Sequence, residues 1–352
     1  YNGEVQKVEG FKEVTGGYTV EGLTAVAEGK DFGTYKTNIT GTARVTKDGV
    51  DVTDKVIVNV NEGILTISKR EVTLTSETAS KPYDGTPLTR PDVTITGGFV
   101  KDEVKEVKAT GSVTNVSEGE VTNTITYTTS DKFNPNNYTI TKHEGKLSIT
   151  PVADEVTVRI KGNKDTATYN GTDQSVGGYT VESISNTLYT STDFTLNGQA
   201  MATGKDAATY PMNLDATWFV NNNTNFATVK FEIAEDGQLV INPRAVTLTS
   251  EKASKPYDGT PLTRPDVKVE GNFVDGEVTK VEATGSVTYV SDGEVTNTIV
   301  ITEGENFKES NYSITKHEGK LSITEVNAEV TVTIKGKKDT VTYDGNPHSV
   351  EG

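Results

Sequence analysis

The chain has no cysteine among its 352 residues, two methionines, one tryptophan and three histidines. Without thiols there is no disulfide, no cysteine-ligated zinc, no iron–sulfur cluster and no thiol nucleophile. No run of 18 apolar residues and no leader-like apolar segment is present, so nothing reads as a membrane-spanning helix or a secretion signal. Basic charge is scarce: 34 Lys and Arg stand against 50 Asp and Glu, a net of −16. Such a field repels phosphate backbones and anionic lipid surfaces, which sets aside nucleic-acid binding and membrane insertion. A 3.6-residue apolar stripe of useful length is also missing.

What is present is self-similarity. Residues 79–93 (ASKPYDGTPLTRPDV) return unchanged as 253–267, and most of the surrounding 80 residues return with them at a constant offset of 174. A fixed period in sequence signals an array of structural units. Arrays supply length and display more often than chemistry, which points away from an enzyme. Two unit types alternate. The expected modules are 1–70 (first type, without its opening strand), 71–151 (second type), 152–244 (first type), 245–325 (second type) and 326–352, the start of a further first-type module. The chain begins with Tyr1 rather than Met and is read as an excised piece of a longer protein, with any secretion signal or anchor outside it.

The periodicity within each unit is two. Val72 and Leu74 alternate with Thr73 and Thr75, and Val93 and Ile95 alternate with Thr94 and Thr96, the pattern of half-buried strands. Gly, Asn and Asp punctuate these runs every eight to twelve residues. Every complete unit closes on a strand of one type: residues 63–67 (GILTI), 145–149 (GKLSI), 237–241 (GQLVI) and 319–323 (GKLSI). The expected fold is all-β: a tandem array of small β-sandwich-like modules arranged end to end, with β-grasp-like modules carrying one short helix as the alternative. Short joints such as Thr150-Pro151-Val152 and Asn242-Pro243-Arg244 restrict bending. Together with strand lengths of about 6–10 residues they predict a monomeric rod roughly 150 Å long.

Residues 81–88 (KPYDGTPL), with the closing pattern of Asn137-Tyr138-Thr139-Ile140 and residues 145–150 (GKLSIT), resemble MBG-type repeats, bacterial immunoglobulin-like modules of large cell-surface adhesins. The resemblance covers both second-type units well and the first-type units loosely. It implies a secreted, fibrous, extracellular protein of the bacterial cell surface, attached to the cell wall through parts outside this segment, and says little about a ligand; host glycans or glycoproteins are the partners expected of the parent protein. No sorting or secretion signal lies in the sequence itself.

Candidate chemistry is thin. His143 and His317 occupy equivalent places beside a turn and His348 stands apart, so no histidine site converges. Asp48, Asp51 and Asp54 are close in sequence but lack the alternating oxygen ligands and distal Glu of the calcium loop. Asn38, Asn115, Asn137, Asn170, Asn222 and Asn311 lie in Asn-x-Ser/Thr triplets, which a chain rich in Asn and Thr produces by chance. Tyr83-Asp84-Gly85 and Tyr257-Asp258-Gly259 are strong turn signals. Two site types remain as expectations. Lys81, Asp84 and Asn137, with Lys255, Asp258 and Asn311, are the candidates for an internal Lys–Asn isopeptide crosslink, which needs a desolvated, neutral lysine. Tyr83, Tyr138, Tyr257 and Tyr312 are the candidates for glycan contact. No catalytic residue, metal ligand or cofactor site is expected. The functional expectation is a stalk that projects a head from the cell wall, with multivalent glycan-binding repeats and a strand-exchanging filament subunit as alternatives.

Overall fold

The computed structural model describes residues 1–11 and 16–351. The chain is all-β. Among the described residues there is no α-helix, and the only helical turns are three-residue 3-10 segments such as Val116–Glu118 and Pro135–Asn137. The short helix of the β-grasp alternative is therefore absent from the described residues.

The second-type module 71–151 is organised by one long extended segment broken in the middle. Its first half, Arg70–Ser76, lies between Val93–Thr96 (antiparallel) and Tyr138–His143 (parallel). Its second half, Ala79–Pro82, runs parallel to the closing strand Lys146–Thr150, which pairs antiparallel with Val121–Thr122 on its other side. Two small cores result. Val72, Leu74, Ile125 and Tyr138 form one, and Leu88, Val113, Leu147 and Ile149 form the other. The β-branched and aromatic residues that alternate along these strands cover both. Between the cores, Asn123 is fully buried. Its carboxamide accepts from Gly111 N–H (3.0 Å) and donates to the carbonyls of Glu77 (3.2 Å) and Arg90 (2.8 Å), which satisfies the backbone where the long segment breaks. Module 245–325 repeats this arrangement, with Arg244–Ser250, Ala253–Pro256, Tyr312–His317 and Lys320–Thr324 paired in the equivalent registers and Asn297 in place of Asn123.

Val72 and Leu74 point inward as their alternation predicts. Ile95 does not: it is exposed, as is Val269. Val93–Thr96 is an edge strand, and only its first residue, Val93, packs on the core. Period two fixes which face a residue takes, but not whether that face is covered.

The chain divides into two compact units. Unit 1 comprises residues 1–160, 181–198 and 216–232, and unit 2 comprises residues 161–180, 199–215 and 233–352. The division runs through the interior of residues 152–244 and not through the joint sequences. The reason is visible in unit 2, where a single apolar core contains Tyr169, Ala202, Met212, Leu239 and Ile241 from the first-type repeat together with Val246, Leu248, Ile299 and Tyr312 from the second-type repeat.

Candidate functional site: the joints between repeats

The most elaborate polar arrangement in each unit lies where a first-type repeat meets the second-type repeat that follows it. In unit 1, Glu103 is buried, 4% exposed. Its carboxylate accepts from the hydroxyls of Tyr1 and of Tyr138 (2.6 Å), and the Tyr138 oxygen accepts from Val100 N–H at 2.9 Å. The two tyrosine rings meet edge to face, with centroids 5.5 Å apart and planes at 79°. Beside them, fully buried Asn137 accepts from Phe32 N–H (2.7 Å) and donates to Asp31 Oδ1 (2.7 Å). Tyr1 with Glu103, the two rings with each other, and Asn137 with Phe32 and Asp31 span the two repeats, whereas Tyr138 shares its repeat with Glu103 and Val100.

Unit 2 reproduces the arrangement. Glu277 accepts from Tyr169 and from Tyr312 (2.7 Å), and Val274 N–H donates to the Tyr312 oxygen (2.8 Å). The rings stand 5.6 Å apart at 80°. Asn311 accepts from Ala207 N–H (2.7 Å) and donates to Asp206 (2.9 Å). The turn glycine after each tyrosine permits the close approach. Gly171 has φ +80°, and a Cβ there would stand 2.6 Å from Val274 Cγ1; Gly3 has φ +83° and faces Val100 in the same way. Only glycine meets both demands cheaply.

Burial is the main cause of a raised hydroxyl pKa in this group, followed by the hydrogen bond to the glutamate carboxyl for Tyr1, Tyr138 and Tyr169. Tyr1 and Tyr312 are pushed up to about 12, and Tyr138 and Tyr169 are raised still further. The tyrosines therefore stay neutral and donate two hydrogen bonds to each glutamate.

Unit 1 also contains the other kind of joint, from second-type to first-type. Val116 N–H donates to Asn225 Oδ1 (2.8 Å), and Asn225 Nδ2 donates to Asn115 (3.0 Å). Phe226 packs edge to face on Tyr83, with centroids 5.7 Å apart, and on Tyr189 at 5.1 Å. Val152 bridges to Phe226 in parallel, bonding Asn225 O at 2.9 Å.

The sequence candidates fall as follows. Lys81 bonds Asp84 (2.7 Å) and Thr86 (2.7 Å), and Lys255 bonds Asp258 (2.9 Å) and Thr260 (2.7 Å). Asn137 and Asn311 are committed to the joints. Arg70 pairs with Tyr138, whereas Lys81 pairs with Ile149, so Lys81 and Asn137 lie at opposite ends of the module, about 30–35 Å apart at the rise of a strand. The structure does not bring the isopeptide candidates together, and each lysine is instead engaged by the Asp and Thr of its own turn. Tyr138 and Tyr312 are buried, and Tyr83 is covered by Phe226. Tyr257 is exposed and stacks on exposed Tyr289 (6.3 Å, 28°). Asp51 is satisfied by Thr53 and by Arg44 (3.1 Å), which hold its carboxyl down at about 2. His143 and His317 are exposed at the ends of their strands, and His348 Nε2 sits 2.9 Å from Asp344. Among the described residues no group of three or more His, Asp or Glu is placed to hold a metal ion, and no helix is long and apolar enough to cross a membrane.

Sequence reasoning missed Glu103, Glu277, Asn225 and Phe226. The two glutamates return at the 174-residue offset, but so do many surface residues, so recurrence alone does not single them out. The amide-rich stretch 221–225, which reads as a polar loop, ends in the aromatic that seals a joint. No protein-family model matches the chain, and none of the curated proteins matches it.

Proposed function

We propose that the chain is a structural spacer: tandem β modules, coupled at their ends, that hold another part of a bacterial surface protein away from the cell wall. The observation that carries this reading is the joint. In unit 2 one apolar core runs from one repeat into the next, and in both units a tyrosine of the first-type repeat, Tyr1 or Tyr169, donates to the glutamate of the next, Glu103 or Glu277. A joint built this way cannot bend without opening a packed core and stranding buried polar groups, each a large penalty. The short joint sequences and the acidic, soluble composition support the same role, and the resemblance to adhesin repeats supports the bacterial surface as its location.

Avidity for host glycans is the weaker alternative. It needs one exposed aromatic at the same place in successive repeats, and of Tyr83 and Tyr257 only the second is bare. The test is small-angle X-ray scattering of the full chain. An elongated profile of constant cross-section, which becomes more flexible when Glu103 and Glu277 are both changed to Ala, is expected. A compact, globular profile removes the spacer reading.

A further inference from the structure

The sequence contains three Asn-Gly pairs, Asn2-Gly3, Asn170-Gly171 and Asn197-Gly198. Such a pair can react with itself, because no side chain on the glycine hinders its nitrogen from reaching the neighbouring carboxamide carbon. The three differ in what holds them. Asn170 Oδ1 accepts from Thr172 N–H and from the Thr172 hydroxyl, both at 2.9 Å, and Gly171 is held at φ +80° against Val274. Asn2 Oδ1 accepts from Glu4 N–H at 3.0 Å. Both carboxamides are thereby turned toward the second residue on. Closing a ring on the adjacent glycine has to break those bonds.

Asn197 has none of this. It follows the strand Phe194–Leu196, which pairs with Phe219–Asn221, and both Asn197 and Gly198 are exposed. The Asn197 N–H donates to Trp218 O at 2.7 Å, so the residue is anchored by its main chain alone. Among the described residues no hydrogen bond engages the Asn197 carboxamide or the Gly198 N–H. Electrophile and nucleophile are adjacent and uncommitted, in a segment outside any strand.

We propose that Asn197-Gly198 is a spontaneous modification site, at which the chain converts asparagine to isoaspartate and aspartate without an enzyme. The Gly198 nitrogen gives up its proton to solvent and bonds to Asn197 Cγ. The Cγ–Nδ2 bond breaks, the side-chain nitrogen leaves as ammonia, and a five-membered imide closes. Water then adds to one of the two imide carbonyls. Opening at Cγ leaves aspartate. Opening at the backbone carbonyl leaves isoaspartate, whose main chain runs through Cβ and Cγ and is one carbon longer. This chemistry does not depend on the spacer role.

The position gives the reaction a structural consequence. Gly198 lies against the indole of Trp218, where a Cβ would stand 2.6 Å from Cδ2. Isoaspartate inserts a carbon immediately before that contact and adds a carboxylate beside it, which displaces Gly198 from the ring. Trp218 is the single tryptophan of the chain, so its fluorescence reports the event without a label.

The test is timed incubation of the full chain in mildly alkaline buffer. It is read by intact mass, by peptide mapping that separates isoaspartate from aspartate, and by tryptophan emission. A mass gain of roughly one dalton that maps to Asn197 is expected, with emission changing in step. Asn170 is expected to convert roughly tenfold more slowly, since two hydrogen bonds must be given up first. Asn197→Gln, which closes the larger ring far less readily, is expected to abolish both the conversion at that position and the emission change. Asn197→Asp carries the charge without the added carbon and is expected to keep the emission of the fresh chain. Circular dichroism verifies that both variants fold. The proposal is overturned if residue 197 stays asparagine, if Asn170 converts as fast, or if emission of the Asn197→Gln chain drifts like that of the unaltered one. Conversion without an emission change, or an altered emission in fresh Asn197→Asp, overturns the displacement of Gly198.

Discussion

The first-to-second-type joints of unit 1 and unit 2 share a centre and differ at the rim. At the centre, Tyr1, Tyr138, Glu103, Asn137 and Asp31 in one correspond to Tyr169, Tyr312, Glu277, Asn311 and Asp206 in the other, with the same hydrogen bonds. At the rim, Lys69 lies 5.0 Å over the ring of Phe32 in unit 1, whereas unit 2 has Pro243 and Ala207 at those places. Unit 2 instead carries Lys308 bonded to Asp206 at 2.5 Å, where unit 1 has Asn134. Both members of the Lys–Phe pair changed together. The difference teaches that buried donors and acceptors leave no freedom at the centre, while exposed attachments are interchangeable because each contributes little.

The strongest way to break this comparison is at the glutamate. Glu277→Ala leaves the hydroxyl protons of Tyr169 and Tyr312 buried without an acceptor, a loss of about 2–6 kcal/mol at 1–3 kcal/mol per stranded group. Glu103→Ala is expected to cost less, because Tyr1 is partly exposed and its hydroxyl can turn to water. Urea denaturation followed by circular dichroism measures both. Equal and negligible effects would mean that the clusters do not hold the joints.

High pH sharpens the comparison without mutation. The folded-state pKa of each cluster tyrosine is raised above the ordinary 10, to about 12 for Tyr1 and Tyr312 and further for Tyr138 and Tyr169. A raised pKa means that the folded state holds the proton more tightly. This stabilisation is complete below about pH 10 and is lost as pH rises through about 12 and beyond. Tyrosinate absorbance should show a group of residues ionising above the exposed tyrosines, with unfolding following. Titration of all fourteen tyrosines in one step near pH 10 would contradict the buried clusters.

How far the sequence revealed this depends on the range of the interaction. The strands were legible from neighbours: Val72 and Leu74 against Thr73 and Thr75 needs only period two. The turns at Asp84-Gly85 and Asp258-Gly259 were legible from two residues. Glu103 was not, because beside Asp102 it reads as another surface acid. Its burial is imposed by Tyr138, 35 residues away, and by Tyr1, 102 residues away. Ile95 was misleading for the opposite reason, since its local pattern is that of a covered strand and the covering layer stops at Val93. The crosslink candidates failed on distance: Lys81 and Asn137 align between repeats but sit at opposite ends of the one they share.

The smallest expected effects come from exchanging the rims. Phe32→Ala removes the partner of Lys69 in unit 1, and an exposed cation–π contact is worth about 0.5–1 kcal/mol. Lys308→Asn removes the ion pair to Asp206 in unit 2, an exposed pair whose attraction water largely screens. Lys308 is also the main reason the Asp206 carboxyl titrates low, ahead of the Asn311 hydrogen bond. Lys308→Asn should therefore raise the Asp206 pKa only part of the way to that of an ordinary aspartate, because Asn311 still donates to it. Carboxyl titration by NMR reads this directly. The Phe32→Ala chain should show no such change at Asp206, which it does not contact. If Lys308→Asn left the Asp206 titration unmoved, the ion pair would not hold that carboxylate in solution, and the two rims would differ in sequence without differing in energy.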